Sequence, residues 1–120
     1  DTSKTVKDPC PAGYRVPTAA QWQAVINNNQ IGRVGTWTNS NTNYTSGLNI
    51  GGNGNSTLFL PAAGSRYDAD GALYVRGRNG YYWSSSEATS YADYLIFFSS
   101  NVNVTYSFRT NGNSVRCVAE

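Results

Sequence analysis

The chain has 120 residues, 13% of them charged, with a net charge of +2, a length that suits one domain with a real core and leaves no room for two. Its arginines (Arg15, Arg33, Arg66, Arg76, Arg78, Arg109, Arg116) are scattered, so the basic stripe that phosphate binding needs is missing and nucleic acid is excluded as the default partner. No apolar run approaches the roughly 18 residues of a membrane span, and the chain opens on Asp1-Thr2-Ser3-Lys4 rather than on a signal peptide, so any export signal or anchor is expected ahead of it.

Pro17-Thr18-Ala19-Ala20-Gln21-Trp22 predicts a helix start: Thr18 caps, Gln21 completes a capping box, and Trp22, Val25 and Ile26 share one face. Asn27-Asn28-Asn29 ends it. From Gly32 to Thr57, Asn, Thr, Ser and Gly dominate around isolated apolar residues, which predicts long irregular loops with room for one poor helix or short strands. Leu58 to Pro61 reads as a short buried strand, Asp68 to Ala72 as a turn, and Leu73 to Val75 as a strand. Arg78-Asn79-Gly80 is a hairpin-type turn into Tyr81-Tyr82-Trp83. Strands over Tyr94 to Ser99 and Val102 to Arg109 follow, and Asn111-Gly112-Asn113 leads into a last strand, Val115 to Val118. One helix followed by many short strands indicates an α+β domain. Trp22, Trp37 and Trp83 all read as core residues.

Cys10 and Cys117 stand near opposite ends of the chain without metal-ligand spacing, and there is no histidine. A disulfide that pins the ends together is the preferred reading, with two buried thiols as the alternative. Closing a loop of about 100 residues would contribute about 4 to 5 kcal/mol in the chain-entropy model, and such a bond implies an oxidising compartment, hence an exported or surface protein.

Between Tyr81 and Val118, aromatic residues (Tyr91, Tyr94, Phe98, Tyr106, Phe108) interleave with small polar ones, the composition of a paratope: rigid rings give contact area, short polar groups give adaptable hydrogen bonds. In Tyr94 to Phe98, strict alternation puts Leu95 and Phe97 on one face and Tyr94, Ile96 and Phe98 on the other. The second set faces outward unless the strand is covered on both sides, and an exposed Tyr, Ile and Phe patch marks an interaction site.

Asp8-Pro9-Cys10-Pro11-Ala12-Gly13-Tyr14-Arg15-Val16-Pro17-Thr18, then Leu60-Pro61-Ala62-Ala63-Gly64, then Tyr82-Trp83-Ser84-Ser85-Ser86, then Val115-Arg116-Cys117-Val118 together resemble the Fibrobacter major paralogous domain family. The resemblance implies a C-type-lectin-like fold related to formylglycine-generating proteins, with residues 1–120 forming a single ligand-binding domain at the C-terminal end of a longer protein. The segment from Trp83 to Cys117 also resembles the variable region of proteins diversified by retroelements, in which adenines of template codons are replaced at random. This implies that Thr89, Ser90, Tyr91, Asp93, Tyr94, Ile96, Phe98, Thr105, Tyr106, Ser107, Phe108, Thr110 and Asn113 are diversified ligand contacts. Ala92, Leu95, Phe97, Ser99, Ser100, Val102, Val104, Arg109, Gly112 and Ser114 are then scaffold. Each diversified residue is encodable from AAC by changing adenines alone. Lys, Glu, Gln, Met and Trp, which are not, are missing from Ala88 to Val115, although they are sparse throughout the chain. The expected surface gathers on one face, with Tyr91, Asp93, Tyr94, Ile96 and Phe98 meeting the contacts from Thr105 to Asn113.

An enzyme fits less well. There is no histidine for a Cys-His or Ser-His pair, Asp68 and Asp70 belong to a turn before they belong to a cation, and the calcium-ligating tripeptides of lectins are missing. The expectation is therefore a non-enzymatic module without cofactor or metal, present as a single copy. Displayed on a bacterial surface, pilus tip or phage, it would bind a protein or glycan, and would neither bind nucleic acid nor insert in a membrane. A formylglycine-generating-type enzyme and a structural surface domain without a ligand are the rivals.

Overall fold

A computed structural model describes residues 3–51 and 57–120; the loop expected from Gly32 to Thr57 lies outside the described residues at positions 52–56. Among the described residues the chain is α+β: one helix, α1 (Ala19–Asn28), and short strands in small antiparallel sheets. The capping box at Thr18 closes as its residues dictate. The Gln21 backbone N–H donates to Thr18 Oγ1 at 3.1 Å and the Thr18 N–H to Gln21 Oε1 at 3.0 Å, which satisfies two N–H groups the helix itself cannot.

The Gly- and Asn-rich segment holds more order than its composition suggests. Strands β2 (Gln30–Val34) and β3 (Gly47–Gly51) pair with each other, and β3 pairs with β4 (Leu58–Pro61), giving a three-stranded sheet with β3 at its centre. Leu48 and Ile50 alternate inward from β3 to meet Leu60 of β4 and Trp22 of α1, and with Ala62, Tyr82, Leu95 and Phe97 they form the buried core.

Strand β1 (Tyr14–Arg15) pairs with β10 (Val118–Ala119), and Cys10 and Cys117 are joined in a disulfide beside that pair, across a separation of 107 residues. The strand expected over Val115 to Val118 is instead this later, shorter one. Before it the chain crosses between two other elements: Gly112 exchanges backbone bonds with Arg66, and Ser114 with Tyr81 and Trp83. That crossing takes up the ladder bonds a longer strand would have used.

Two further expectations change. Strand β6 (Leu73–Tyr74) pairs with β5 (Ser65–Arg66) and stops at Val75, whose φ of 51° is incompatible with strand geometry. The turn at Arg78-Asn79-Gly80 therefore joins β6 to β7 (Gly80–Ala88) without making them a hairpin; β7 pairs with β8 (Tyr91–Phe98) and β8 with β9 (Asn101–Phe108).

A polar knot braces the chain near the disulfide. The Asp8 carboxylate accepts from Cys10 N–H at 2.8 Å, Val16 N–H at 3.0 Å and Lys4 Nζ at 3.3 Å, while Lys4 also donates to the carbonyls of Cys10 and Tyr14. Burial raises the Asp8 pKa, but the bonds from Val16, Cys10 and Lys4 together outweigh it and hold the group below its ordinary 3.8. A depressed carboxylate stabilises the fold fully above its unfolded pKa, and that contribution is lost as pH falls through the folded value. Asp8→Asn is expected to cost about 1 to 3 kcal/mol at neutral pH. The deficit against the parent should be constant above about pH 5 and shrink at lower pH, which urea titrations at several pH values check. A deficit independent of pH down to acid unfolding would show that the charge contributes nothing.

Candidate ligand-binding surface

The sheet β7-β8-β9 carries most of the expected contacts. Its register sets Leu95 opposite Val104, Phe97 opposite Val102, Asp93 opposite Tyr106 and Tyr91 opposite Phe108, so these side chains share one face. At one end of that face Leu95 and Phe97 are both 0% exposed, within the core. Towards the other end the strands run past the core, and Tyr91, Phe108 and Tyr106 emerge at 36%, 58% and 63% exposure. The Tyr91 ring lies 5.4 Å from Tyr106 and 5.3 Å from Phe108, centroid to centroid, so the three rings make one aromatic surface with the half-buried Asp93 among them.

Tyr94, Ile96, Phe98, Thr105 and Ser107 occupy the opposite face, all half-buried. The expected single cluster is thus corrected to two, because the proposed contacts combine odd and even strand positions and a pleated strand sends these to opposite sides. Tyr94 packs at 5.9 Å against both Tyr81 and Trp83, the latter edge to face, and loss of solvent followed by the neighbouring Tyr81 raises its phenol pKa. Trp83 is accordingly half-buried here rather than a core residue, and Val115, expected to open the last strand, is 40% exposed. Trp37, also half-buried, meets the core edge-on at Phe97, while Trp22 is buried and donates its indole N–H to the Trp83 carbonyl at 3.2 Å.

Trp83 also walls a cleft of about 360 Å³, lined further by Val16, Pro9, Ala92, Val115 and Arg109. The remaining expected contacts sit in connections. Thr89 and Ser90 form the exposed β7–β8 turn, where Thr89 has a φ of 48°. Thr110 donates from its hydroxyl to Asp68 Oδ2 at 3.2 Å, and Asn113 is half-buried in the crossing segment.

Arg109, read as scaffold, has a defined task. Its guanidinium donates to the carbonyls of Thr89 at 2.6 Å and Tyr91 at 3.2 Å and pairs with Glu87 at 2.9 Å. One planar fork therefore ties the end of β9 to the β7–β8 turn, a role lysine could not reproduce. Glu87 and the Lys4–Asp8 knot were not singled out from the sequence; the four-residue spacing of Lys4 and Asp8 ahead of Cys10 was the available signal.

Asp70 Oδ1 accepts from the Ala72 N–H at 2.8 Å, so Asp70 works in its turn. Among the described residues no group of three or more His, Cys, Asp and Glu side chains could hold a metal ion, and no helix is long and apolar enough to cross a membrane.

The family model of the Fibrobacter succinogenes major domain matches residues 2–119. Neither a curated protein nor a solved structure matches the chain.

Proposed function

This chain belongs to the Fibrobacter succinogenes major domain family, and from that footing we propose that it is a non-enzymatic ligand-binding module of C-type-lectin-like fold, exported and displayed on a bacterial or phage surface, with retroelement-diversified contacts on β7-β8-β9. The observation that carries the reading is the division of labour along β8 and β9: the same strands bury Leu95 and Phe97 completely and expose Tyr91, Tyr106 and Phe108. Thr89, Ser90, Tyr91, Tyr106, Phe108 and Thr110 are exposed, which supports tolerance of replacement at those positions, since surface changes usually shift stability by no more than about 0.5 kcal/mol. The paired ends and their disulfide support the lectin-like arrangement and an oxidising compartment. Both cysteines are committed to that bond and the chain has no histidine, which favours binding over formylglycine-type catalysis.

Sequencing the genomic locus tests the proposal. A reverse transcriptase gene and an imperfect repeat of the codons from Thr89 to Asn113 are expected, and a locus with neither would refute diversification. The two faces should also respond differently to truncation. Tyr94→Ala removes a ring packed on Tyr81 and Trp83 and is expected to cost about 2 kcal/mol of stability, whereas Tyr106→Ala, at an exposed pair, should cost under about 1 kcal/mol. Thermal unfolding of the two variants distinguishes these, and equal losses would contradict the assignment of the aromatic end to contact.

A further inference from the structure

We propose that the aromatic end of β8 and β9 is a recognition site for a cationic side chain of a partner protein, an arginine, held by Asp93 and the ring faces of Tyr91 and Tyr106. The proposal rests on the binding reading above and gives it a ligand chemistry. Asp93 stands directly opposite Tyr106 and two positions from Tyr91 on the same face, which places the carboxylate beside both rings. Among the described residues it has no hydrogen-bond or ion-pair partner. The neighbouring cation, Arg109, is already engaged by Glu87 and by two carbonyls. Its half-buried side chain still reaches solvent beside the rings, since no unpartnered side-chain oxygen is buried among the described residues, so the carboxylate is open to a donor brought by a partner. A cation from outside would find there a charge that no group of the fold has engaged.

The rings specify which cation. Aromatic faces attract a positive group within about 6 Å of their centroids, and the Tyr91 and Tyr106 centroids are 5.4 Å apart with their planes inclined at 60°, so a planar group stacked on one ring reaches the other at its side. Guanidinium is planar, weakly hydrated, stacks on tyrosine and meets a carboxylate through two parallel N–H bonds; ammonium is compact, strongly hydrated and does neither. Exposed Phe108 extends the surface for the aliphatic stem of the same side chain. If these positions are diversified, this chemistry belongs to the present sequence and not to the family.

The probe is the tripeptide acetyl-Gly-Arg-Gly-amide, titrated into the intact domain while backbone amide resonances are followed, beside its lysine and citrulline counterparts. Citrulline keeps the shape of arginine and removes the charge. The expected result is saturable shifts at Tyr91, Asp93, Tyr106 and Phe108, with binding at least tenfold weaker for citrulline and weaker for lysine. Asp93→Asn, on an exposed end of the sheet, should weaken arginine binding at least fivefold with an unchanged melting temperature. No shift at millimolar peptide, shifts confined to the Trp83 cleft, or an unaffected Asp93→Asn variant would overturn the inference. Equal binding of citrulline at the same rings would overturn it too while leaving the face a binding surface, and the locus sequence bears on that reading alone.

Discussion

Replacing Cys10 and Cys117 together by serine is expected to remove about 4 to 5 kcal/mol of stability. The cross-link spans 107 residues of sequence, so almost the whole unfolded chain is confined by it. The ladder it accompanies is short: β1 and β10 share only the pairs Tyr14 with Ala119 and Arg15 with Val118, extended by one bond from the Glu120 N–H to the Gly13 carbonyl at 3.0 Å. Without the bond such a ladder frays, because small strand pairs are marginal in water. A domain at the low end of ordinary stability, about 5 kcal/mol, would be left near the folding threshold. Urea unfolding of the parent with and without reductant, compared with the double serine variant, measures the effect; a loss under about 1 kcal/mol would mean that the ends hold without the bond.

Phe97→Ala is expected to cost about 3 to 5 kcal/mol, as for other fully buried aromatic residues. The ring stacks on Tyr82 with centroids 5.9 Å apart, meets Trp37 edge-on at 6.2 Å, and lies so close to Gly80 that a methyl group there would come within 2.1 Å of its tip. Tyr82 is fixed in turn by its hydroxyl bond to the Pro61 carbonyl at 2.8 Å, and burial followed by a smaller opposing effect from Arg116 puts its phenol pKa at about 12. Gly80→Ala should therefore also destabilise by overpacking, about 1 to 3 kcal/mol. The two losses should not add: in the double variant the alanine methyl enters space the ring vacated, and a coupling energy of about 1 kcal/mol or more is expected from the cycle. Additive losses in chemical denaturation would show that ring and glycine do not share this space.

The sequence was most legible where local chemistry dictates geometry. Thr18 and Gln21 announced their capping box, and alternation in Leu95-Ile96-Phe97-Phe98 separated buried from half-buried side chains because strand periodicity is local. The small sheet around β3 was hidden: Gly47-Leu48-Asn49-Ile50-Gly51 offers two apolar side chains among residues that propensity assigns to loops, and only its neighbours on both sides keep it in place. The strand expected at Val115 failed for the converse reason, since the crossing of Ser114 past Tyr81 and Trp83 depends on partners distant in sequence. In the candidate surface, Tyr91, Tyr106 and Phe108 are exposed, while Asp93, Tyr94, Ile96, Phe98, Thr105 and Ser107 are half-buried. Their division between two faces was implicit in the odd and even positions but was overridden by the expectation of one patch. Arg109 was legible only as a charge at a strand end; its hold on Thr89 and Tyr91 requires the register.

The sulfur bridge next to the paired ends has a mechanical consequence. Tension applied outside Cys10 and Cys117 passes from one end of the chain to the other through a covalent bond, and the sequence enclosed between them, with the core and the aromatic surface, bears none of it. A pulled molecule should extend by only the few residues beyond the cysteines while its contact face keeps its shape. Strand β10 lies beyond Cys117 and is peeled from β1 in either state; only under reducing conditions does the pull then pass into the enclosed chain from that corner.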